Sequence, residues 1–281
     1  MLKHIESCPP PAKSHTFCLI HNNKVKLGAN ALAIVALTKH AELTGSITNT
    51  DTIIKLGQWM VDTMANNGSF TIHKQYHKSG KISKFISGYY PGEATLALLA
   101  MYKLDNNKKW LNAASLAIEY IIEQQKPQTP PHDHWLLYTL TEMYKIKPEQ
   151  KYLTHSKFIA EEIMRSPNLN PAQPDWKGSY NMQPESAATA TRTEGLIAAY
   201  EISNAESDTE YSKQLLNSII TGIIFQQQTQ YDEVNSMYFT QPNKAINAFK
   251  RSLNDSEIRI DYIQHNISSY LGYYKIINQT N

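Results

Sequence analysis

Carboxylates recur at one place in the sequence pattern, close to where a predicted apolar helix begins. Two carboxyl groups roughly 5 to 10 Å apart can hydrolyse a glycosidic bond, one acting as acid and the other as base or nucleophile. A glutamate or a tyrosinate can instead remove the proton from a carbon next to a carboxylate. The pattern therefore suits two reactions, and the residues that carry it are Glu93, Asp133, Glu194 and Asp261.

We predict Glu93 and Asp261 as the acid/base pair, because each begins a helix whose other residues are mainly apolar. Tyr90, Tyr262 and His265 lie beside them in sequence and are predicted to assist. Each of these residues also has a structural interpretation. Glu93 suits a first helical turn, where the helix dipole favours a carboxylate, and His265 suits a buried position on an apolar helix.

A second group of residues at the same helix starts is predicted to bind the substrate. Aromatic rings can stack on the face of a sugar, and arginines can bind a substrate carboxylate through two hydrogen bonds. Asp133 also fits the role of a helix N-cap. The histidines near Asp133 lack the i, i+4 spacing of two ligands on one helical face, so we predict no metal and no cofactor. The predicted substrate-binding residues are Asn30, Tyr89, Asp133, His134, Trp135, Arg192, Glu194 and Arg259.

The elements that position these residues come as repeated pairs of helices. In two of the pairs an apolar helix is followed, eight residues after a tyrosine, by a second helix with one apolar face. A helix that is apolar all round is buried, whereas a striped helix faces solvent on one side. The paired segments are 92–102 with 110–122, 134–144 with 152–164, 27–37 with 53–64, and 191–200 with 211–225; a single helix over 261–277 follows.

Inner apolar helices surrounded by outer striped helices predict an all-α fold, an α/α-toroid of antiparallel hairpins. An open α-solenoid is the alternative, since it uses similar pairs. The uneven, proline-rich links favour the toroid, and fewer than six hairpins predict an incomplete ring. Short β-hairpin insertions are predicted at 68–76 and 231–240. We expect an N-terminal extension over 1–24 and a single toroid domain over 25–281.

The composition of the chain argues against nucleic-acid-binding and membrane-spanning proteins. The net charge is +2 and no long basic run occurs, which argues against nucleic-acid binding. No apolar run is long enough to span a bilayer, and the first residues lack the apolar core of a signal peptide. We therefore predict a cytoplasmic protein, or one exported without a classical signal peptide. Cys8 and Cys18, the two cysteines, can pair or both stay free.

Two short motifs resemble the C-terminal α/α domain of D-glucuronyl C5-epimerases. One is Arg259-Ile260-Asp261-Tyr262 followed by His265, and the other is the hairpin around Tyr90-Pro91-Gly92-Glu93. The resemblance extends over roughly residues 25 to 278. It implies the toroid fold and C5-epimerisation of a uronic-acid residue.

The sequence thus predicts a carbohydrate-active enzyme that hydrolyses or epimerises a sugar or a uronic-acid-containing glycan in the toroid cavity. A non-catalytic toroid that binds a ligand or a protein is the alternative, and self-association or a partner chain would complete the ring. A prenyl or peptide cyclase is a third hypothesis, but the Asp-rich or Cys-His signatures of those enzymes are absent from the sequence.

Overall fold

The computed structural model describes residues 1–126, 129–180 and 183–279. The chain divides into two compact units, Met1–Glu149 and Gln150–Asn281, here called the N-terminal and the C-terminal unit. Helices dominate both units, which confirms the all-α class. Within the described residues no helix is long and apolar enough to cross a membrane. The single domain over 25–281 stays a prediction.

Residues 1–24, predicted as an extension, belong to a small antiparallel sheet of the N-terminal unit. Asn22 and Asn23 both adopt left-handed backbone angles, with φ of 48° and 61°, as a two-residue hairpin turn requires. Cys8 and Cys18 form a disulfide, which answers the question that the sequence left open. The strands, in sheet order, are β1 (Ile5–Ser7), β2 (Phe17–His21), β3 (Lys24–Lys26) and β4 (Lys74–Tyr76).

The helices of the N-terminal unit match the predicted hairpins. The third of them packs against the first, the fourth and the fifth, and it is buried along most of its length because small and apolar residues occupy almost every side of it. This helix is therefore the centre of the unit. The five helices are α1 (Leu27–Thr44), α2 (Thr50–Asp62), α3 (Tyr90–Asp105), α4 (Lys108–Gln125) and α5 (His134–Ile146).

Two glycines allow the first turn of α3 to lie close to its neighbours. A Cβ on Gly28 of α1 would lie 2.0 Å from Oε2 of Glu93 and 2.5 Å from the ring of Tyr90. A Cβ on Gly92 would lie 3.0 Å from the backbone nitrogen of Leu136 and 3.1 Å from Oδ2 of Asp133. A Cβ on Gly28 would therefore force Glu93 or Tyr90 to move, whereas a Cβ on Gly92 would need its neighbours to shift by a few tenths of an ångström.

The helices of the C-terminal unit also match the prediction, apart from one short extra helix. The helix Ser186–Ala205 packs against the helices before and after it and against the last helix of the chain. The elements are α6 (Gln150–Met164), α7 (Ser186–Ala205), α8 (Thr209–Gln228), α9 (Glu233–Ser236), β5 (Lys250–Ser252), β6 (Asp255–Ile258) and α10 (Ile260–Gln279).

The predicted β-hairpins are only partly correct. The segment 68–76 contains β4, at its end. The strand predicted over 231–240 is wrong, because Asp232 and Asn235 form a reciprocal capping box that begins α9 there. The hairpin of this unit lies further along, where β5 pairs with β6.

A buried polar network joins three helices of the C-terminal unit. The amide nitrogen of Gln226 (α8) donates to Oγ1 of Thr193 (α7) over 3.1 Å, and its amide oxygen accepts from the hydroxyl of Ser269 (α10). All three side chains are completely buried. A buried amide is tolerated only where its hydrogen bonds are made, so this network fixes how the helices pack.

We expect Gln226→Leu to lower the free energy of unfolding by about 1 to 3 kcal/mol, because it removes the two buried hydrogen bonds that link α8 to α7 and α10. Urea denaturation followed by circular dichroism measures the change. Gln227→Leu, at the exposed neighbouring position, is the matched control and should change stability little. Equal effects of the two substitutions would show that the network contributes nothing specific.

Candidate functional site

Asp133 begins α5 as its N-cap. Its Oδ1 accepts hydrogen bonds from the backbone N–H groups of Trp135 and Leu136, at 3.0 and 3.2 Å. The sequence predicted this role alongside a substrate-binding role. The residue is only 1% exposed, and its Oδ2 lies next to Gly92 at the start of α3. The cap therefore places a carboxyl group between two helix starts.

Burial, the largest cause, and the charge of nearby Glu93 together raise the pKa of the Asp133 carboxyl to about 8. The two backbone hydrogen bonds act in the opposite direction but are outweighed. Asp133 therefore carries its proton at neutral pH. It is a carboxylic acid that can donate a hydrogen bond, unlike the ionised carboxylates on the surface.

The side chain of Tyr90 lies against His73, which the sequence analysis did not select. The two rings stack with centroids 6.2 Å apart, and Phe85 contacts Tyr90 from another side. Nδ1 of His73 accepts the backbone N–H of Ser87 at 3.0 Å, which requires the neutral ring with its hydrogen on Nε2. Burial also lowers the pKa of His73, and burial together with Glu93 raises the pKa of Tyr90.

A cleft of about 400 Å³ opens beside these residues in the N-terminal unit. Its walls come from residues 68–73, residues 86–92 at and before the start of α3, the end of α4, and Asp133. Asp133 and His73 both line it, and both are almost completely buried. The cleft is within the size range of small-molecule sites. Its lining includes Phe70, His73, Gly88, Tyr120, Gln124 and Asp133.

The other predicted residues of the N-terminal unit have varied surroundings. Asn30 is fully buried, and its amide accepts from the N–H of Leu19 and donates to the carbonyl of Lys26, which ties α1 to the sheet. His134 is buried with its ring 4.7 Å from that of Trp135. Tyr89 is exposed. Their roles as substrate-binding residues stay predictions, although the contacts of Asn30 favour a structural role.

In the C-terminal unit, Glu194 of α7 and His265 of α10 are brought together. Oε2 of Glu194 lies 2.9 Å from Nδ1 of His265, although the two residues are 71 positions apart in sequence. The glutamate side chain is 3% exposed and the histidine side chain 15%. A buried carboxylate thus holds one ring nitrogen of a histidine that solvent can still reach.

Arg192 precedes this pair on α7. Its guanidinium donates to the carbonyl of Ala188 at 2.8 Å, within its own helix. Tyr180 is buried near this arginine. Burial raises the pKa of Tyr180, and the charge of Arg192 acts in the opposite direction. The predicted binding of an anionic group by Arg192 stays a prediction.

Arg259 and Asp261 interact with each other. Nε and Nη2 of Arg259 donate to the two carboxylate oxygens of Asp261 at 3.0 and 2.8 Å, and both side chains are exposed. Tyr262 is buried, and its hydroxyl donates to Glu257 at 3.0 Å. The site roles predicted for these residues stay untested, but the exposed ion pair makes Asp261 less suited to acid/base chemistry than His265.

We expect Asp133→Asn to gain stability over the wild type as the pH rises from 4 to 8. The folded pKa is about 8 and the unfolded value about 3.9, so between them only the folded chain keeps the proton. The free energy of unfolding of the wild type therefore falls with rising pH, by up to about 1.4 kcal/mol per pH unit. Asparagine keeps the cap and does not titrate.

Urea denaturation at several pH values measures this difference. Asp133→Ala is the companion variant, which should lose about 1 kcal/mol through the missing cap. If the stability curves of wild type and Asp133→Asn ran parallel from pH 4 to 8, the proton would not reside on Asp133.

No protein-family model and no curated protein matches the sequence. Solved structures do match. A D-mannose isomerase has a TM-score of 0.64 at 13% identity over 90% of this chain and 72% of its own. The cellobiose 2-epimerase from Spirochaeta thermophila has a TM-score of 0.63 at 11% identity, over 93% and 73%.

A family 76 glycoside hydrolase from a bovine Bacteroides thetaiotaomicron strain has a TM-score of 0.62 at 12% identity, over 94% of this chain and 59% of its own. Identities this low show the fold alone. All three structures are α/α-toroid enzymes. The fold predicted from the repeated hairpins is therefore confirmed: this chain has the α/α-toroid fold.

Proposed function

We propose that this chain is a carbohydrate-active enzyme that epimerises or isomerises a sugar by moving a proton. The observation that carries the proposal is the contact between Glu194 and His265. A base held by a third group is the usual arrangement of a proton-transfer site. The α/α-toroid fold, which sugar isomerases and epimerases share, adds support.

In this proposal His265 is the acid/base group and Glu194 is the positioning residue. Glu194 accepts the hydrogen on Nδ1, so the other nitrogen, Nε2, exchanges the proton with the substrate. The buried carboxylate also stabilises the imidazolium that forms when Nε2 takes a proton from the sugar carbon next to a carbonyl group. Returning that proton to the neighbouring carbon, while the hydroxyl proton moves to the former carbonyl oxygen, gives an isomer. Protonation of the original carbon by water from the opposite face, with the proton on His265 released to solvent, gives an epimer.

Exchange in heavy water tests this step. The chain is incubated in D₂O with D-mannose, cellobiose or a glucuronate-containing oligosaccharide, and NMR follows deuterium entering carbon-bound positions. We expect His265→Gln to slow the exchange at least about 100-fold, and Glu194→Gln to slow it too, with a changed pH profile. His40→Gln, on the exposed side of α1, is the matched control. Undiminished exchange in His265→Gln would refute this role.

Hydrolysis and C5-epimerisation of a uronic acid are the two reactions predicted from the sequence. The same incubations separate them, because hydrolysis creates new reducing ends, whereas C5-epimerisation places deuterium at C5 of the uronic residue. Binding of a sugar with neither exchange nor cleavage would favour the non-catalytic module instead. The disulfide between Cys8 and Cys18 favours export over a cytoplasmic location, because disulfides persist in oxidising compartments.

Self-association is also part of the proposal, and an exposed row on α10 supports it. The row repeats with alternating spacings of four and three residues, the pattern by which one helix packs along another. Its side chains carry no charge, and an antiparallel second copy would place Ile267 opposite Leu271 and Gln264 opposite Tyr274. The row is therefore complementary to itself. It consists of Ile260, Gln264, Ile267, Leu271, Tyr274 and Asn278.

We expect the wild type to be a dimer and Leu271→Asp to be a monomer, because the substitution places a charge at the centre of the apolar contact. Light scattering after size-exclusion chromatography measures the mass. Leu43→Asp, an equally drastic change at an exposed position of α1, should leave the dimer intact. A monomeric wild type would contradict self-association.

A further inference from the structure

The cleft of the N-terminal unit has a lining without fixed charge. Among the described residues that line it there is no lysine, arginine or glutamate, and the only histidine and carboxylic acid are His73 and Asp133. The hydrogen bond from Ser87 to Nδ1 keeps His73 neutral. The polar groups that remain are amides, hydroxyls and backbone. Such a lining disfavours an ion and suits an uncharged, hydrogen-bonding ligand.

One carboxyl oxygen of Asp133 is available to bind a ligand. Oδ1 is occupied by the two backbone N–H groups of α5. Oδ2 makes no hydrogen bond within the described residues, although the residue is 1% exposed and lines the cleft. The small exposed surface of Asp133 faces the cleft that the residue lines, so a molecule bound there could form a hydrogen bond with Oδ2.

We propose that this cleft binds an uncharged sugar, to which Asp133 donates a hydrogen bond from Oδ2. The carboxyl keeps its proton because it is buried and lies near the charge of Glu93. A hydroxyl oxygen of the sugar accepts the hydrogen bond that the protonated carboxyl donates. The choice of a sugar as ligand rests on the proposed function, while the requirement for an uncharged ligand comes from the lining itself.

The other walls suit the same ligand. Phe70 and Tyr120 contribute aromatic rings, which can pack against the apolar face of a sugar ring. The amide of Gln124, at the end of α4, can donate to one hydroxyl and accept from another. A volume of about 400 Å³ accommodates one or two sugar rings. Binding of a uronic acid is disfavoured, because Glu93 lies nearby and because no lysine or arginine among the lining residues would balance the charge of the ligand's carboxylate.

Binding measured without turnover tests the inference. Isothermal titration and ligand-observed NMR are used with D-mannose, cellobiose and D-glucuronate as probes. We expect saturable binding of at least one neutral sugar and at least about tenfold weaker binding of glucuronate. Asp133→Asn should bind like the wild type, since its amide accepts at Oδ1 and donates at Nδ2 as the protonated acid does. Asp133→Ala should bind about tenfold more weakly.

Gly88 offers a way to close the cleft without disturbing the fold. It lines the cleft, and a Cβ added there meets no atom within 4 Å. Gly88→Trp should therefore obstruct the cleft and weaken binding, whereas Leu43→Trp, at an exposed position of α1 outside the lining, is the matched control and should bind normally. Circular dichroism and thermal melting check that both variants fold.

The outcomes separate this inference from the proposed function. His265→Gln should lose proton exchange but keep binding in the cleft. The inference is overturned if no neutral sugar binds, if glucuronate binds as well as a neutral sugar, or if Gly88→Trp leaves binding unchanged. It is also overturned if Asp133→Asn loses as much affinity as Asp133→Ala, because Asp133 would then act as a charged acceptor.

Discussion

The close approach of α3 to its neighbours is the constraint on which the N-terminal unit depends. Gly28 and Gly92 leave so little space that Glu93 and Tyr90 lie directly against α1, and Asp133 directly against the start of α3. Two carboxyl groups are thereby buried near each other, where water cannot stabilise both charges. One of them keeps its proton as a result. Tight packing between helix backbones thus determines the chemistry of the side chains at their ends.

The buried carboxylate of the C-terminal unit has different surroundings from Asp133. Glu194 is almost as deeply buried as Asp133, but it lies 2.9 Å from the ring of His265. Asp133 meets another carboxylate as its electrostatic neighbour, whereas Glu194 meets an imidazole. The same type of group therefore has a raised pKa in one unit and contacts an imidazole in the other. The nearest partner, as well as burial, distinguishes the two carboxyl groups.

The helices could be predicted from the sequence because their signal is local. Apolar periodicity located α1 to α8 and α10, and the residue type and position of Asp133 indicated its cap. The prediction of a strand over 231–240 was wrong because it relied on the aromatic residues there. Asp232 and Asn235 carry the capping signal of a short helix, and that signal was overlooked. Arg259 and Asp261 were both selected as site residues, but their proximity in sequence lets them pair with each other.

The parts of the site that could not be predicted depend on contacts distant in sequence. Glu194 and His265 were each selected, yet nothing local indicates that they touch across 71 residues. His73 was missed because its segment shows only a turn and a short strand, and its hydrogen bond to the backbone of Ser87 arises from the fold. The cleft is formed by four separate stretches of sequence, so no single one of them carries its signal.

The amide of Gln226 has a consequence for the alignment of the helices around it. Thr193, one of its partners, precedes Glu194, and Ser269, the other, lies one turn after His265. A slip of α7 or α10 by one residue would rotate that helix by about 100° and separate the hydroxyl from the amide. The network therefore fixes the register between α7 and α10. It sets the relative rotation of two helices so that a carboxylate and an imidazole meet, without itself touching either group.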